Sequence, residues 1–484
     1  MTYRALAGRI DRLAAVLRHR LGVQRGDRVA WLGYNHGAAV ALLFACARLR
    51  AIFLPLNWRL APPEHRLMLD DATPRALFVE SGFREATEGV CRPGDSFRRV
   101  VVGDAHPGWV HYDTLMAEGD RLVQGWQGAE ADDPVVICYT SGTTGAPKGA
   151  VLTQNNLFFN AVNSTHMHDL VSGDRVLTTL PLFHVGGLNI QTLPALHAGA
   201  TVMLHPKFDA DATFDAIRDF RPTLTVLVPT QIRVLIDHPR WATADLSSLR
   251  CITTGSSVVP EALIRQVQDR GIPLIQVYGS TETGPLAAFQ RIDDAKVKLG
   301  SAGREAIHCS VRVVDLDGAD LPSGTSGEIL VKGPNVTGGY WNDTRATAQA
   351  LRDGWFCTGD VGHFDEDGYL YVDGRKKDMI ISGGENIYPA ALESILAECP
   401  RILEAAVVGR PDDFWGEEVV AVVVPRDASL TAADVLNLFA GRVARYKHPR
   451  DVVFVDRLPR NALGKLRKDE IRRMLPKAME TGSP

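Results

Sequence analysis

No run of apolar residues approaches the ~18 needed to cross a bilayer; the longest, Ala38–Ala47, has the length of a buried helix. Cysteine is sparse. Cys46, Cys91, Cys138, Cys251, Cys309, Cys357 and Cys399 are scattered, with no CxxC pair. That excludes a zinc ribbon and a small disulfide scaffold, and it fits a reducing compartment. Positive charge is not in excess: 53 Lys and Arg stand against 57 Asp and Glu, a net charge of −4. No basic field is left to hold nucleic acid. No His-x-x-x-His or carboxylate cluster calls for a transition metal. The N-terminus carries Asp11 and alternates charge with apolar residues, unlike a signal peptide, and the C-terminal Gly-Ser-Pro is no peroxisomal address. The expectation is a cytoplasmic protein without a transmembrane segment.

What remains is ordinary globular material, 45% hydrophobic and 23% charged, in 484 residues. One hydrophobic core cannot serve that length, so two or more domains are expected. Strand-like runs at Asp27–Gly33, Val135–Tyr139, Thr223–Val228 and Leu274–Tyr278 alternate with helical patterns at Tyr3–Arg20, Gly37–Leu49 and Pro260–Arg270. That alternation predicts layered, mostly parallel α/β structure. From about residue 300 the texture becomes β-rich, with strands at Val311–Leu316, Gly327–Lys332 and Tyr369–Asp373. A compact α+β pattern closes the chain: a helix at Pro389–Glu398, strands at Ala405–Gly409 and Val419–Val424, and a helix at Leu430–Val443. The reading divides the chain into a large domain over 1–373, a hinge at 374–378 and a small, mobile α+β domain over 379–484.

The sharpest local feature is Tyr139-Thr-Ser-Gly-Thr-Thr-Gly-Ala-Pro-Lys-Gly149, directly after an apolar strand. By composition alone it is a Ser/Thr/Gly surface loop. Yet Gly142, Gly145 and Gly149 let a backbone approach an anion closely. Thr140, Ser141, Thr143 and Thr144 can donate to phosphate oxygens, and Lys148 brings positive charge. It is not a Walker A loop, since no Ser or Thr follows the lysine.

This segment resembles the phosphate loop of the adenylate-forming superfamily: acyl-CoA synthetases, peptide-synthetase adenylation domains and luciferases. Five further segments match in the family's order: Pro181-Leu-Phe-His-Val-Gly-Gly187, Tyr278-Gly-Ser-Thr-Glu-Thr283, Gly354-Trp-Phe-Cys-Thr-Gly-Asp360, Gly374-Arg-Lys-Lys-Asp-Met-Ile-Ile-Ser-Gly-Gly-Glu-Asn-Ile387 and Pro459-Arg-Asn-Ala-Leu-Gly-Lys465. The similarity is strongest to fatty-acid and hydroxycinnamate CoA ligases. One departure is that relatives carry about one more helix and loop before the stretch that is Thr2–Leu6 here.

The resemblance implies a two-step ligase. A carboxylic acid attacks the α-phosphorus of ATP, pyrophosphate leaves, and the acyl-adenylate passes its acyl group to coenzyme A. Glu282 would hold Mg²⁺, Thr281 would donate to the α-phosphate, and Tyr278 beside Gly279 would stack on adenine. Asp360 and Arg375 would take the ribose. Lys465 would bridge carboxylate and phosphate in the first half-reaction, and His184 would gate the acyl pocket. Lys377 would be the pivot. Gly383 and Gly384 would line the pantetheine tunnel, with Trp415 and Lys447 near the CoA nucleotide. Each has a plain structural alternative: Thr281 and Glu282 as helix-start residues, Asp360 as a turn aspartate, Arg375, Lys377, Lys447 and Lys465 as solvated charges, Trp415 as core.

The acyl pocket would be walled by Phe183–Leu188, Val226–Thr230, Gly255, Ser256, Ser257 and Gly279–Leu286. Apart from His184 and Glu282 these hold no charge. A second carboxylate would lack a counter-charge there, so a fatty acid or an aryl or cinnamate-type acid is expected. The alternatives left open are an enzyme that loads a carrier protein and a catalytically silent nucleotide-binding regulator.

Overall fold

The computed structural model describes residues 1–92, 94–119, 128–140, 147–256, 259–383, 385–412, 414–460 and 465–475. Its architecture is the expected one. The first sheet has seven described strands in the spatial order Val110–His111, Arg98–Val102, Ala76–Glu80, Arg28–Leu32, Ile52–Leu56, Pro134–Thr140, Lys148–Thr153. All neighbours run parallel except the last two, which form an antiparallel pair. The second sheet orders Arg304–Glu305, Ala288–Phe289, Leu274–Tyr278, Cys251–Gly255, Leu224–Val226, Arg175–Thr178, Thr201–Leu204. Its last five strands are parallel.

The central parallel strands are covered on both faces, which is why these runs are continuously apolar rather than alternating. All five residues of Leu274–Tyr278 are buried. So are all but the first of Arg28–Leu32. The helix Tyr3–His19 starts where the Thr2 hydroxyl accepts from the Ala5 N–H at 3.2 Å. It buries Ile10, Leu13, Ala14 and Leu17, the helical spacing of one face. Gly37–Leu49 is buried over most of its length, as its apolar run predicts.

The β-rich unit is an antiparallel sheet. Ser310–Val314 pairs with Gly327–Lys332, which pairs with Trp355–Phe364; Leu351–Arg352 and Leu370–Arg375 also pair with Trp355–Phe364. The predicted strand to Leu316 stops at Val314, because Asp315 accepts from Asp317 and Ala319 N–H groups and turns the chain.

The last unit is a sheet of Glu385–Ile387, Ile380–Ser382, Gly416–Pro425, Ile402–Asp412 and Asp451–Phe454. Pro389–Ala397 packs on it, and Leu392, Leu396, Val407, Val419 and Phe439 form its core. The predicted helix Leu430–Val443 is corrected here: only Ala432–Asn437 is helical. Thr431 and Asp434 cap its start reciprocally. Phe439 is then drawn into the core, and Gly441 takes a φ of 72°, which ends any helical continuation. The 3₁₀ turn Lys376–Asp378 joins this unit to the strand that ends at Arg375. Among the described residues no helix is long and apolar enough to cross a membrane.

Candidate active site

The site forms where the second sheet, the β-rich sheet and the final domain meet. Strand Leu274–Tyr278 delivers Tyr278 at its end, and a 3₁₀ turn, Thr281–Thr283, follows. Gly279 between them admits no side chain: a Cβ there would lie 1.7 Å from the Pro285 carbonyl oxygen. Tyr278 donates its hydroxyl to Asp360 Oδ2 at 2.9 Å. Asp360 lies opposite Arg375 in the antiparallel register, and Arg375 Nε meets Asp360 Oδ1 at 2.6 Å. Burial raises the Asp360 carboxyl from its ordinary value, and the Arg375 guanidinium and Tyr278 hydroxyl oppose that. Tyr278 is pushed well up by burial and by Asp360, so it remains a donor. The arrangement is a buried carboxylate with two donors on it, able to exchange them for a vicinal diol.

Glu282 is 8% exposed and Thr281 is 7% exposed. Glu282 Oε1 accepts from the Tyr340 hydroxyl at 2.8 Å, and its carbonyl accepts from Thr337 N–H at 2.7 Å. Lys148 Nζ stands 5.5 Å from the centroid of the same tyrosine ring. Thr140 and Lys148 face each other across an antiparallel pair, so they bracket the loop between them. Ser141, Gly142, Thr143, Thr144 and Gly145 lie outside the described residues, as do Ser257 and Gly384. A buried carboxylate suits Mg²⁺, which takes one or two carboxylates and completes its shell from phosphate and water.

His184 caps a short helical turn, its Nδ1 accepting from Gly186 N–H at 3.0 Å. The neutral ring therefore carries its proton on Nε2. Burial, helped by the charges of Lys465 and Arg59, pushes its pKa down to about 3. A folded pKa below the unfolded one means neutral His184 stabilises the fold above pH ~6.5, and that contribution is lost as pH falls toward about 3. The His184 ring resonances should hold their neutral shifts from pH 8 down to about 5 in an NMR titration. A midpoint near 6.5 would contradict this environment.

Lys465 is brought from the last domain to this cleft. It remains exposed to solvent, yet lies close enough to Arg375, Asp360 and Glu282 to feel their charges. Its pKa is lowered by burial and by Arg375, and raised by Asp360 and Glu282. So the structure gathers His184, Thr281, Glu282, Tyr278, Asp360, Arg375 and Lys465, residues up to 281 positions apart, the span from His184 to Lys465 (465 − 184).

The other predicted residues sit elsewhere. Gly383 has a φ of 60° and packs on Trp415; a Cβ on it would lie 2.9 Å from the indole, and its N–H donates to the Trp415 carbonyl at 2.8 Å. The Arg450 guanidinium lies 3.8 Å from the Trp415 ring centroid. Lys447 is on the nearby turn Arg445–Lys447. Among the described residues no hydrogen bond or ion pair links these three to Asp360 or Glu282. Lys377 is exposed, in the turn between the two units. Gly255 backs onto Val277, whose carbonyl oxygen would lie 2.6 Å from an added Cβ, and Ser256 takes a φ of 72° beside it.

Two residues were missed by the sequence reading. Tyr340 was findable, since Gly338-Gly339-Tyr340 is a glycine pair before an aromatic, a close-approach signal. Arg59 was not. Its guanidinium stands 4.8 Å from Trp58 and 5.8 Å from the Phe183 ring, burial lowers its pKa, and its charge reaches His184.

The profile of the AMP-binding enzymes matches residues 1–341, and that of the AMP-binding enzyme C-terminal domain matches 391–465. The chain is 58% identical to an indoleacetate–CoA ligase of Aromatoleum aromaticum, over 98% of this chain and 93% of that one. It is 44% identical to a feruloyl-CoA synthase of an Amycolatopsis species, over 98% and 94%. The crystal structure of ATP-bound MatB from Rhodopseudomonas palustris superposes with a TM-score of 0.88 at 33% identity, over 97% and 93%.

Proposed function

Because the chain belongs to the AMP-binding enzyme family and is an AMP-forming acid–thiol ligase, we propose that its acid is an aryl monocarboxylate of the arylacetic or cinnamic type. It makes acyl-CoA from a carboxylic acid, ATP and CoA through an acyl-adenylate, with Mg²⁺. The observation that carries the aryl reading is the apolar wall beside His184. Leu182, Phe183 and Leu188 line a cavity on one side of it, and Gly186, Gly187 and Val226 line one on the other, with no charged side chain on either; the two relatives above act on aryl acids.

The residues divide the work as follows. Asp360, Arg375 and Tyr278 orient the nucleotide through its ribose and base. Glu282, held by Tyr340, would keep Mg²⁺ on the phosphates, where the ion offsets developing charge. Lys148 and Thr140 border the phosphates. His184 and Lys465 present N–H donors toward the carboxylate, and Lys465 stabilises charge on the α-phosphoryl group as the bond to pyrophosphate breaks. After the small domain turns about Lys377, the Gly383 backbone lines the thiol's path and Trp415 and Lys447 meet the CoA nucleotide. Seven unpaired cysteines and the need for ATP and CoA support a cytoplasmic place of action.

An ATP–pyrophosphate exchange screen over aryl, alkyl and dicarboxylic acids, followed by a CoA-dependent assay, tests the reading. Indoleacetate- or cinnamate-type acids should exceed dicarboxylates of equal length by roughly 10²-fold or more in kcat/KM, since a second buried carboxylate costs several kcal/mol. AMP and pyrophosphate should form in equal amounts with the thioester. A dicarboxylate as best substrate would overturn the proposal and point to Arg59 as its counter-charge.

A further inference from the structure

Asp71 stands on the last turn of the helix Pro62–Ala72 and is half-buried. Two neutral donors from distant parts of the chain converge on its carboxylate. The Tyr139 hydroxyl donates to Oδ2 at 2.5 Å, and Asn342 Nδ2 lies 3.3 Å from Oδ1. The Asp71 carbonyl oxygen accepts as well, from Asn342 Nδ2 at 3.1 Å and from Trp341 Nε1 at 3.3 Å. The helix end that carries Asp71 is fixed from behind. Arg28 donates to the Ala72 and Thr73 carbonyls, and its guanidinium lies 5.2 Å from the centroid of the Trp341 ring.

The two donors lead to the two groups assigned to the phosphates and the metal. Tyr139 pairs with Gly149 across the antiparallel strands, and a Cβ on Gly149 would lie 3.3 Å from the tyrosine ring. Lys148 is the residue before that glycine. On the other side, Trp341 and Asn342 directly follow Tyr340, which donates to Glu282 and lies beside Lys148 Nζ. The two segments also meet through their backbones: Trp341 N–H donates to the Gly149 carbonyl at 2.7 Å, and Tyr340 bridges to Ala150. Asp71 closes the same junction with side chains. Burial and the neighbouring Asp71 push the Tyr139 hydroxyl up from its ordinary pKa, so it stays a donor. Asn342 takes a φ of 50°, a left-handed conformation that asparagine adopts more readily than most residues.

We infer that Asp71 is a positioning residue for adenylation: its carboxylate locks the Lys148 strand against the Tyr340 segment and so sets the spacing of Lys148 and Glu282, across which Mg²⁺ and the ATP phosphates are held. The inference rests on the roles given above to Glu282 and Lys148. Asp71 acts through Tyr139 and Asn342 and touches no substrate. Without its carboxylate the Tyr139 hydroxyl loses its acceptor, and the junction keeps only its backbone contacts. Lys148 and Glu282 then hold the phosphates less precisely, and preplaced charge loses its effect when its position spreads. The thioester step begins after pyrophosphate has left, so it does not draw on that spacing.

The test measures Asp71→Ala in three ways: ATP binding by calorimetry with and without Mg²⁺ and with no acid present, ATP–pyrophosphate exchange, and thioester formation from preformed acyl-adenylate and CoA. ATP should bind roughly tenfold more weakly in the presence of Mg²⁺, exchange should fall by a similar factor with a raised half-saturating Mg²⁺ concentration, and the thioester step should keep close to the wild-type rate. Asp71→Asn, which leaves one oxygen for Tyr139, should recover most of the loss. Tyr139→Phe should reproduce part of it, and adding Tyr139→Phe to Asp71→Ala should cost little more, since both break one contact. Circular dichroism checks the folds, and the Asn and Phe variants carry the comparison if the alanine variant does not fold. Equal losses in both half-reactions, or unchanged ATP binding and Mg²⁺ requirement, would overturn the inference and leave Asp71 a structural residue. Glu282→Gln and Lys148→Ala go through the same assays. If neither weakens ATP binding or raises the Mg²⁺ requirement, the assignment of the phosphate site falls and this inference with it; if they do and Asp71→Ala does not, the inference alone falls.

Discussion

Lys465→Ala should lower ATP–pyrophosphate exchange by roughly 10²–10³-fold, the usual loss when one preplaced donor to developing charge is removed. The same variant should convert synthetic acyl-adenylate and CoA to thioester at close to the wild-type rate. The contrast follows from position. In the arrangement seen here the ammonium shares a cleft with Glu282, Asp360, Arg375 and His184, where the α-phosphate must lie if Asp360 holds the ribose. Once the adenylate exists, that charge has no bond left to break. The depressed pKa of Lys465, lowered by burial and by Arg375, adds a check on sign: its protonated form is lost at lower pH than for a solvated lysine, so as pH rises adenylation should fail before the thioester step does. Equal losses in both half-reactions would show that Lys465 is structural or acts throughout.

Lys377→Pro should spare adenylation and cripple the thioester step. If Gly383 and Trp415 carry CoA as proposed, the small domain has to turn, since among the described residues no hydrogen bond or ion pair links them to Asp360 or Glu282. The link available for turning is Lys376–Asp378, an exposed 3₁₀ turn with Arg375 committed to Asp360 on one side and Ile380–Ser382 committed to a sheet on the other. Proline holds φ near −65°, and where the new dihedral does not fit, it costs about 3 kcal/mol. Charged against the turned state alone, that is roughly 10²-fold in the thioester rate, measured with preformed acyl-adenylate. Normal rates in both half-reactions would remove Lys377 as the pivot.

The amino-acid sequence by itself determined the layered α/β plan, since continuous apolar runs between amphipathic stretches have few other ways to be covered. The six ordered motifs supplied most of the residues that the structure gathers into the candidate cleft, because turns, glycines and a carboxylate after a strand are encoded within a few residues of one another. Where short-range signals met longer-range packing, the reading failed: Leu430–Val443 has a helical pattern, but burial of Phe439 breaks it after Asn437.

Only the tertiary structure decided which of these residues meet. Arg375 stands on Asp360 because two strands pair in one register; a slip of one residue would turn it to the other face. Tyr340 reaches Glu282 across 58 positions, and Arg59 comes against Phe183 across two layers of the fold. Asp71 reads in sequence as one more polar residue at a helix end. Its carboxylate is a junction because Tyr139 and Asn342, 68 and 271 positions away, both donate to it. Local sequence specifies dihedrals and periodicity, whereas such a junction is set by which distant groups close packing brings beside it, and that follows from the whole chain at once.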